Sequence, residues 1–156
     1  MIECRFEPLS YMLLNGLVDL SYEAWCEMEN EHAEVDYSPD WEAYQRNEDS
    51  NRLRFISLRE GGNLIGYASI RIESDIHRAG ITFASFLDIY IKKEKRGYAA
   101  QFVRFIEKQL SGIGVVRVYA TERVRSRKSP ARFYEAMGFE LQEQVYGKTI
   151  GQVTNE

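Results

Sequence analysis

The chain has 156 residues, 44% hydrophobic and 28% charged, the make-up of one folded domain rather than a disordered chain. Its net charge of −4 provides no cationic excess to neutralise a phosphate backbone, which argues against a nucleic-acid partner and leaves room for a cationic substrate. Cys4 and Cys26 have no metal-ligand spacing and form no disulfide framework, no apolar run nears the ~20 residues of a membrane span, and the first residues lack a signal-peptide layout. The expectation is a cytoplasmic protein with neither metal nor membrane attachment, for which a homodimer is a compatible state.

In chain order, residues 2–7 read as a short strand. From about 9 to 29, Leu14, Leu17, Val18, Tyr22 and Trp25 recur at helical spacing. Ser38-Pro39 sets a cap residue before a proline at the first helical position, opening a short helix through Trp41 and Tyr44. Strands are expected at Leu53–Leu58 and Leu64–Ile72 around the hairpin signal Glu60-Gly61-Gly62-Asn63. A third runs from Ile81 to Ile91 and alternates: Ile81, Phe83, Ser85, Leu87, Ile89 and Ile91 on one face, Thr82, Ala84, Phe86, Asp88 and Tyr90 on the other.

After the charged loop Lys92–Arg96, a helix is expected from Gly97 to about Ser111, with Tyr98, Phe102, Phe105, Ile106 and Leu110 as its apolar stripe. Val115–Thr121 reads as a strand. Ser129-Pro130 opens a helix that runs to Met137, where Gly138 is a natural left-handed terminator, and Phe139–Ile150 reads as a closing strand. The order β-α-α-β-β-β-α-β-α-β describes an α/β (α+β) fold, a mixed sheet flanked by helices. The strand–helix–strand unit from 81 to 121 closes compactly only as a parallel crossover.

The informative stretch is Ile89-Tyr90-Ile91-Lys92-Lys93-Glu94-Lys95-Arg96-Gly97-Tyr98-Ala99-Ala100-Gln101. A strand enters a basic turn and then a helix whose first turn is built from small residues. The first amides of a helix lack internal partners and carry the positive end of its dipole, so an anion can dock there. Gly97, Ala99 and Ala100 leave the approach open, and Lys95 and Arg96 add charge. The plainer reading is an ordinary helix start behind a solvated basic turn.

This stretch resembles the acetyl-CoA motif of the GNAT N-acetyltransferases, Gln/Arg-x-x-Gly-x-Gly/Ala, in the register Glu94 to Ala99. Gly97 and Ala99 match, and Glu94 departs from it; a second register, starting at Arg96, fits less well. A second signature, Phe133-Tyr134-Glu135-Ala136-Met137-Gly138-Phe139, is similar to the family's aromatic-Tyr-x-x-x-Gly-Phe ending. The region around His77 and the Asp88 strand also looks like small acetyltransferases carried by bacteriophages and prophages.

The resemblance implies a GNAT-like, mostly antiparallel sheet in one domain over 1–156, with residues 1–50 as the acceptor-side half and 51–150 as the acetyl-CoA core. It implies transfer of acetyl from acetyl-CoA, without a metal, to an amine of a small molecule or protein. The cofactor would meet Ile89, Tyr90 and Ile91, with a backbone amide there as oxyanion donor, and Arg96, Gly97, Tyr98, Ala99, Ala100 and Gln101. Tyr134 would protonate the departing thiolate. Where the family often carries Asn to contact the CoA arm, this chain has Arg127.

For the base, Asp88 comes first, being a carboxylate in an otherwise apolar strand; a wet sheet face or an arginine partner would also account for it. His77 comes second, because an imidazole with a pKa near ~6.5 suits proton removal. Glu107 reads as solvated. The acid-rich Glu27–Asp36 stretch would attract an ammonium or simply be a solvated helix end, and Trp25, Trp41 and Tyr44 would line an acceptor pocket or pack in the core. Two alternatives stand beside acetyl transfer: a catalytically silent CoA-binding or structural module on the same fold, and an unrelated α/β binding domain.

Overall fold

The structure, a computed structural model, describes residues 1–28, 36–122 and 129–151. Five strands form one sheet in the order β1 (Ile2–Phe6), β2 (Leu53–Glu60), β3 (Asn63–Ser74), β4 (Thr82–Ile91) and β5 (Val115–Tyr119). The first four are antiparallel and β5 lies parallel to β4. The helix α4 (Ala99–Gly112) makes the crossover between β4 and β5, as the sequence pattern required.

The sheet is apolar on both faces. On one, Phe102, Ile106 and Leu110 of α4 pack against Ile56, Leu58, Ile65, Ala68, Ile70, Ala84, Phe86 and Ile91. Each such side chain contributes about 1.5–3 kcal/mol on burial, so α4 is held firmly against the strands that precede it. On the other face, α1 (Leu9–Leu14) and α2 (Leu17–Glu27) cover Leu53, Phe55, Leu64, Tyr67 and Tyr90. Trp41 and Tyr44 of α3 (Trp41–Asp49) join that second cluster.

Four local expectations are corrected. The single helix expected from 9 to 29 is two, because Gly16 adopts φ 109, a left-handed conformation that ends α1 and re-aims the chain into α2. Helix α3 is capped by Asp40 instead of Ser38: the Asp40 carboxylate accepts from the Ala43 N–H at 2.8 Å. The helix expected from Gly97 begins at Ala99, after a 3-10 turn over Lys93–Tyr98.

The fourth is the segment from Phe139 to Ile150, which is assigned no strand. Its apolar residues Leu141, Val145 and Ile150 are all exposed. Such residues stabilise a strand only through a ladder partner, and these have none in the sheet. The short helix α5 (Ala131–Ala136) does end at Gly138, with φ 88, as expected.

The alternation read along β4 is also broken. Phe86 pairs with Ile70 and Asp88 with Ser69, so Leu87 is an extra residue opposite no partner, a β-bulge. Ahead of it, Ala84 and Phe86 face α4; beyond it, Ile89 and Ile91 do, and Tyr90 turns to the α1–α2 side.

A buried ion pair ties the chain's first segment to the sheet. Arg59 is 2% exposed and Glu7 6%. The guanidinium donates to Glu7 through Nε at 2.9 Å and Nη2 at 2.7 Å, and Nη1 donates to the carbonyls of Asn15 at 3.2 Å and Gly62 at 3.0 Å. One side chain thus joins the end of β1, the α1–α2 turn and the β2–β3 hairpin. Removing one partner of such a pair leaves the other charge buried, at a typical cost of about 3–5 kcal/mol. Glu7→Ala should therefore lower unfolding free energy by about that amount in urea titration, and a loss under ~1 kcal/mol would show the pair to be dispensable.

Candidate active site

Strand β4 pairs with β3 along its whole length but with β5 only over Thr82–Ser85. From the bulge at Leu87 onward its outer edge has no strand partner among the described residues, so the ladder groups of Leu87–Ile91 on that edge are open to a ligand. This opening leads directly to the turn over Lys93–Tyr98 and the start of α4. Tyr98, at the N-cap of α4, provides no side-chain cap, so the first amides of the helix also lack a side-chain acceptor there. A Cβ built on Gly97 meets nothing within 4 Å. The open β4 edge and the empty space at Gly97 therefore lie along one continuous line, although the Ala99 N–H is already engaged by the Arg96 carbonyl of the preceding 3-10 turn.

The basic residues of the turn are already engaged. Lys95 forms an ion pair with Glu60, and Arg96 with Glu27 of α2. Arg96 Nε also donates to the Ile91 carbonyl at 3.3 Å, and its guanidinium stands over the Tyr90 ring. The Tyr90 hydroxyl donates its proton to Glu27 at 2.8 Å and lies 3.3 Å from Glu23, while Lys92 lies 4.0 Å from Glu23. Burial, together with these carboxylates, pushes the Tyr90 phenol well above its ordinary pKa. The turn is thus stitched to α2 by charge, and Lys95 and Arg96 are both engaged by carboxylates of the protein.

Because the bulge reverses the phase of β4, Asp88 faces the α1–α3 side, next to the opening. Its Oδ2 accepts from Ser69 Oγ at 3.0 Å and from Tyr44 Oη at 3.2 Å. Burial of Tyr44 and the Asp88 charge raise the phenol's pKa, so it stays a donor. Among the described residues Asp88 has no cationic partner. Tyr44 and Leu87 also line a groove of about 400 Å³ between α3 and the sheet, with Asn47, Arg52 and Arg71 further along it.

The remaining sequence candidates lie elsewhere. His77 is exposed in the β3–β4 turn, its N–H on Asp75 Oδ1 at 2.8 Å. That turn is six residues before Asp88 at the nearest strand pair, Ser74–Thr82, roughly 20 Å along β4. Tyr134 sits on α5 with its ring between Phe133 and Phe139, at centroid distances of 6.0 and 5.5 Å. Burial, and secondarily the charge of Glu122, raise its pKa. Trp25 stacks obliquely on Tyr37 at 6.0 Å, and Trp41 packs beside Tyr44 at 5.3 Å. Glu29, Glu31, Glu34 and Arg127 lie outside the described residues.

Sequence reading missed Ser69, Tyr67 and Glu23, which the β3–β4 register and α2 bring to Asp88 and Tyr90. No local signal marks them, because each acts across strands or from a helix distant in sequence.

The model of the acetyltransferase (GNAT) family matches residues 17–139. The chain belongs to the GNAT family. No curated protein is similar enough to count as a match. Among solved structures, an aminoglycoside acetyltransferase from an uncultured soil metagenomic sample superposes with a TM-score of 0.75 at 14% identity, covering 97% of this chain and 99% of that one. The ribosomal-protein-alanine N-acetyltransferase of Brucella melitensis biovar Abortus 2308 gives 0.73 at 12% identity, covering 96% and 99%. AAC(6')-Iy, in complex with a bisubstrate analogue of CoA and acetylneamine, gives 0.65 at 14% identity, covering 97% and 99%. At these identities the likeness is one of fold. Among the described residues no helix is long and apolar enough to cross a membrane, and no three metal-ligating side chains cluster.

Gly97 offers a clean test of whether a phosphate docks at the start of α4, since its backbone is unstrained and a side chain there meets no protein atom. Gly97→Asp should leave the melting temperature of the free protein unchanged and weaken acetyl-CoA binding at least tenfold by calorimetry. Unchanged affinity would move the cofactor site away from the start of α4.

Proposed function

We propose that the chain transfers an acetyl group from acetyl-CoA to the nitrogen of an amine, with residues 1–50 forming the acceptor side and 51–150 the cofactor core. The observation that carries this reading is the juxtaposition at the bulge: a ligand-length stretch of β4 edge and, on the adjoining face, a carboxylate, with neither a strand partner for the one nor a cation for the other among the described residues. Family membership supports acetyl-CoA as the donor, and the pyrophosphate would lie against the amides of Gly97–Gln101 with the acyl arm along Ile89–Ile91.

In the reaction, the amine nitrogen attacks the thioester carbonyl. The C–N bond forms as the C–S bond breaks, giving an acetylated amine and CoA thiol. A backbone N–H of the open edge stabilises the developing oxyanion. Asp88 takes the proton that the nitrogen loses, its carboxylate fixed by Ser69 and Tyr44. Tyr134 gives a proton to the thiolate; support for this is its position four residues ahead of Gly138-Phe139 and the burial that keeps its phenol protonated. His77 and Glu107 take no part. The amine acceptor itself differs among the matched structures, from aminoglycoside to protein, so the fold does not select one.

A silent CoA-binding module is the second reading, favoured by one observation: both Lys95 and Arg96 are spent on carboxylates of the protein. Both readings expect acetyl-CoA at about a hundred times its Kd to add ~2.7 kcal/mol to stability. They part on thiol release over an amine panel, where turnover supports transfer and binding without turnover supports the module. In the enzyme, Tyr134→Phe should cut turnover by about 10²- to 10⁴-fold with acetyl-CoA affinity nearly constant. Wild-type turnover in that variant would reduce Tyr134 to packing.

A further inference from the structure

One buried group at this site has no work in the mechanism above. Tyr67 of β3 is 6% exposed, yet its hydroxyl makes no hydrogen bond among the described residues. No fully enclosed side-chain nitrogen or oxygen among those residues lacks a partner. The Tyr67 oxygen therefore reaches an opening, rather than being walled off. An unbonded phenol in so buried a residue is uncommon and calls for a partner beyond the described residues.

The register says what it faces. Tyr67 pairs with Tyr90 and Ser69 with Asp88, so Tyr67 and Asp88 are diagonal neighbours, a spacing of roughly 7–8 Å that is somewhat less at Cβ and within reach of an aromatic side chain. The phenol feels the Asp88 charge and the hydroxyls of Tyr44, Tyr37 and Tyr90; burial first, and those neighbours second, hold its proton on well beyond the ordinary tyrosine range. Asp88 receives two neutral donors, both on Oδ2. A carboxylate has about four lone-pair sites, so Oδ1 is left with room for a charged donor.

We propose that Tyr67 and Asp88 form a seat for a protonated alkylamine. The ammonium donates one hydrogen bond to Asp88 Oδ1 and another to the Tyr67 oxygen, with the Tyr44 and Tyr90 rings beside it. Tyr67 is a positioning residue: it aims the nitrogen so that the proton passed to Asp88 leaves the lone pair directed at the open β4 edge. The acceptor class follows from the charge. An alkylamine, cationic at neutral pH, satisfies both Asp88 and Tyr67. An aryl amine, uncharged there, leaves Asp88 without its cation. The inference rests on the acetyl-transfer reading for its chemical meaning, although the seat can be tested by binding alone.

The experiment uses the full chain, its Tyr67→Phe variant, which keeps the ring, and its Asp88→Asn variant, which keeps the shape and removes the charge. With saturating acetyl-CoA, acetylation of n-butylamine and of aniline is measured by thiol release. In parallel, protection of each protein against thermal unfolding by n-butylammonium chloride is compared with sodium chloride at equal ionic strength. The wild type should prefer butylamine. Loss of one hydrogen bond to a charged group in Tyr67→Phe should raise KM for butylamine by about 10- to 100-fold, more than it lowers kcat, with acetyl-CoA affinity unchanged. Butylammonium should protect the wild type and neither variant.

Equal protection of wild type and both variants, a butylamine KM unchanged in Tyr67→Phe, or a wild-type preference for aniline would overturn the seat. Should no amine be acetylated while butylammonium still protects only the wild type, the seat stands and acetyl transfer falls. If Tyr67→Phe does not fold, protection of Asp88→Asn decides the same question.

Discussion

The site depends on a single inserted residue. Leu87 interrupts the register between β3 and β4 and turns the strand by one position, so a carboxylate that simple alternation would bury against α4 emerges on the opposite face. The parting of β4 from β5 follows two residues earlier, at Ser85. Without the bulge, Asp88 would share a face with Phe86 and lie among the side chains of α4, where an unpaired charge is costly. With it, one strand presents bare backbone along its edge and a carboxylate on the adjoining face. Both features that the proposed acyl transfer uses thus come from the same ten residues.

Electrostatics then joins the two sides. Tyr90, Glu23, Glu27, Lys92 and Arg96 make a chain of contacts from α2 to the turn ahead of α4. An anion drawn to that turn competes with Glu27 for Arg96, and any change there is felt by Tyr90, two residues from Asp88. The turn ahead of α4 and the strand bearing Asp88 are therefore joined through side chains already in contact. Exposed pairs contribute little singly, about 0–1 kcal/mol. Such a network sets geometry more than stability.

Much of this was legible in the sequence, and the parts that were not have a common cause. Helix α4 and its parallel crossover could be read because Phe102, Ile106 and Leu110 repeat at helical spacing and the flanking strands are plain. The passage from strand through turn to helix could be read because Gly97, Ala99 and Ala100 sit between two apolar patterns of different period. The bulge could not, since the residues from Thr82 to Ile91 alternate acceptably with or without it. Only pairing with β3 decides the phase. Ser69 and Tyr67 were hidden for the same reason, their role being set by residues about twenty positions away. Gly16 was legible and under-read: one glycine inside an otherwise helical pattern marked the break. The segment Phe139–Ile150 shows the converse, a few β-prone residues with no ladder to pair with.

The Arg59–Glu7 pair bears on how far the two halves of the protein can vary independently. Acceptor specificity in a fold of this kind could in principle change by exchanging the first fifty residues as a module. Here that module contributes the carboxylate and one of the two backbone carbonyls that neutralise and bind a guanidinium rooted in β2. A transplanted segment lacking an acid at that position would leave the core strand with an orphaned cation. Any chimera, natural or designed, must carry the acid and the arginine together or lose both, so the boundary between the first fifty residues and the strand core is chemically indivisible at this point.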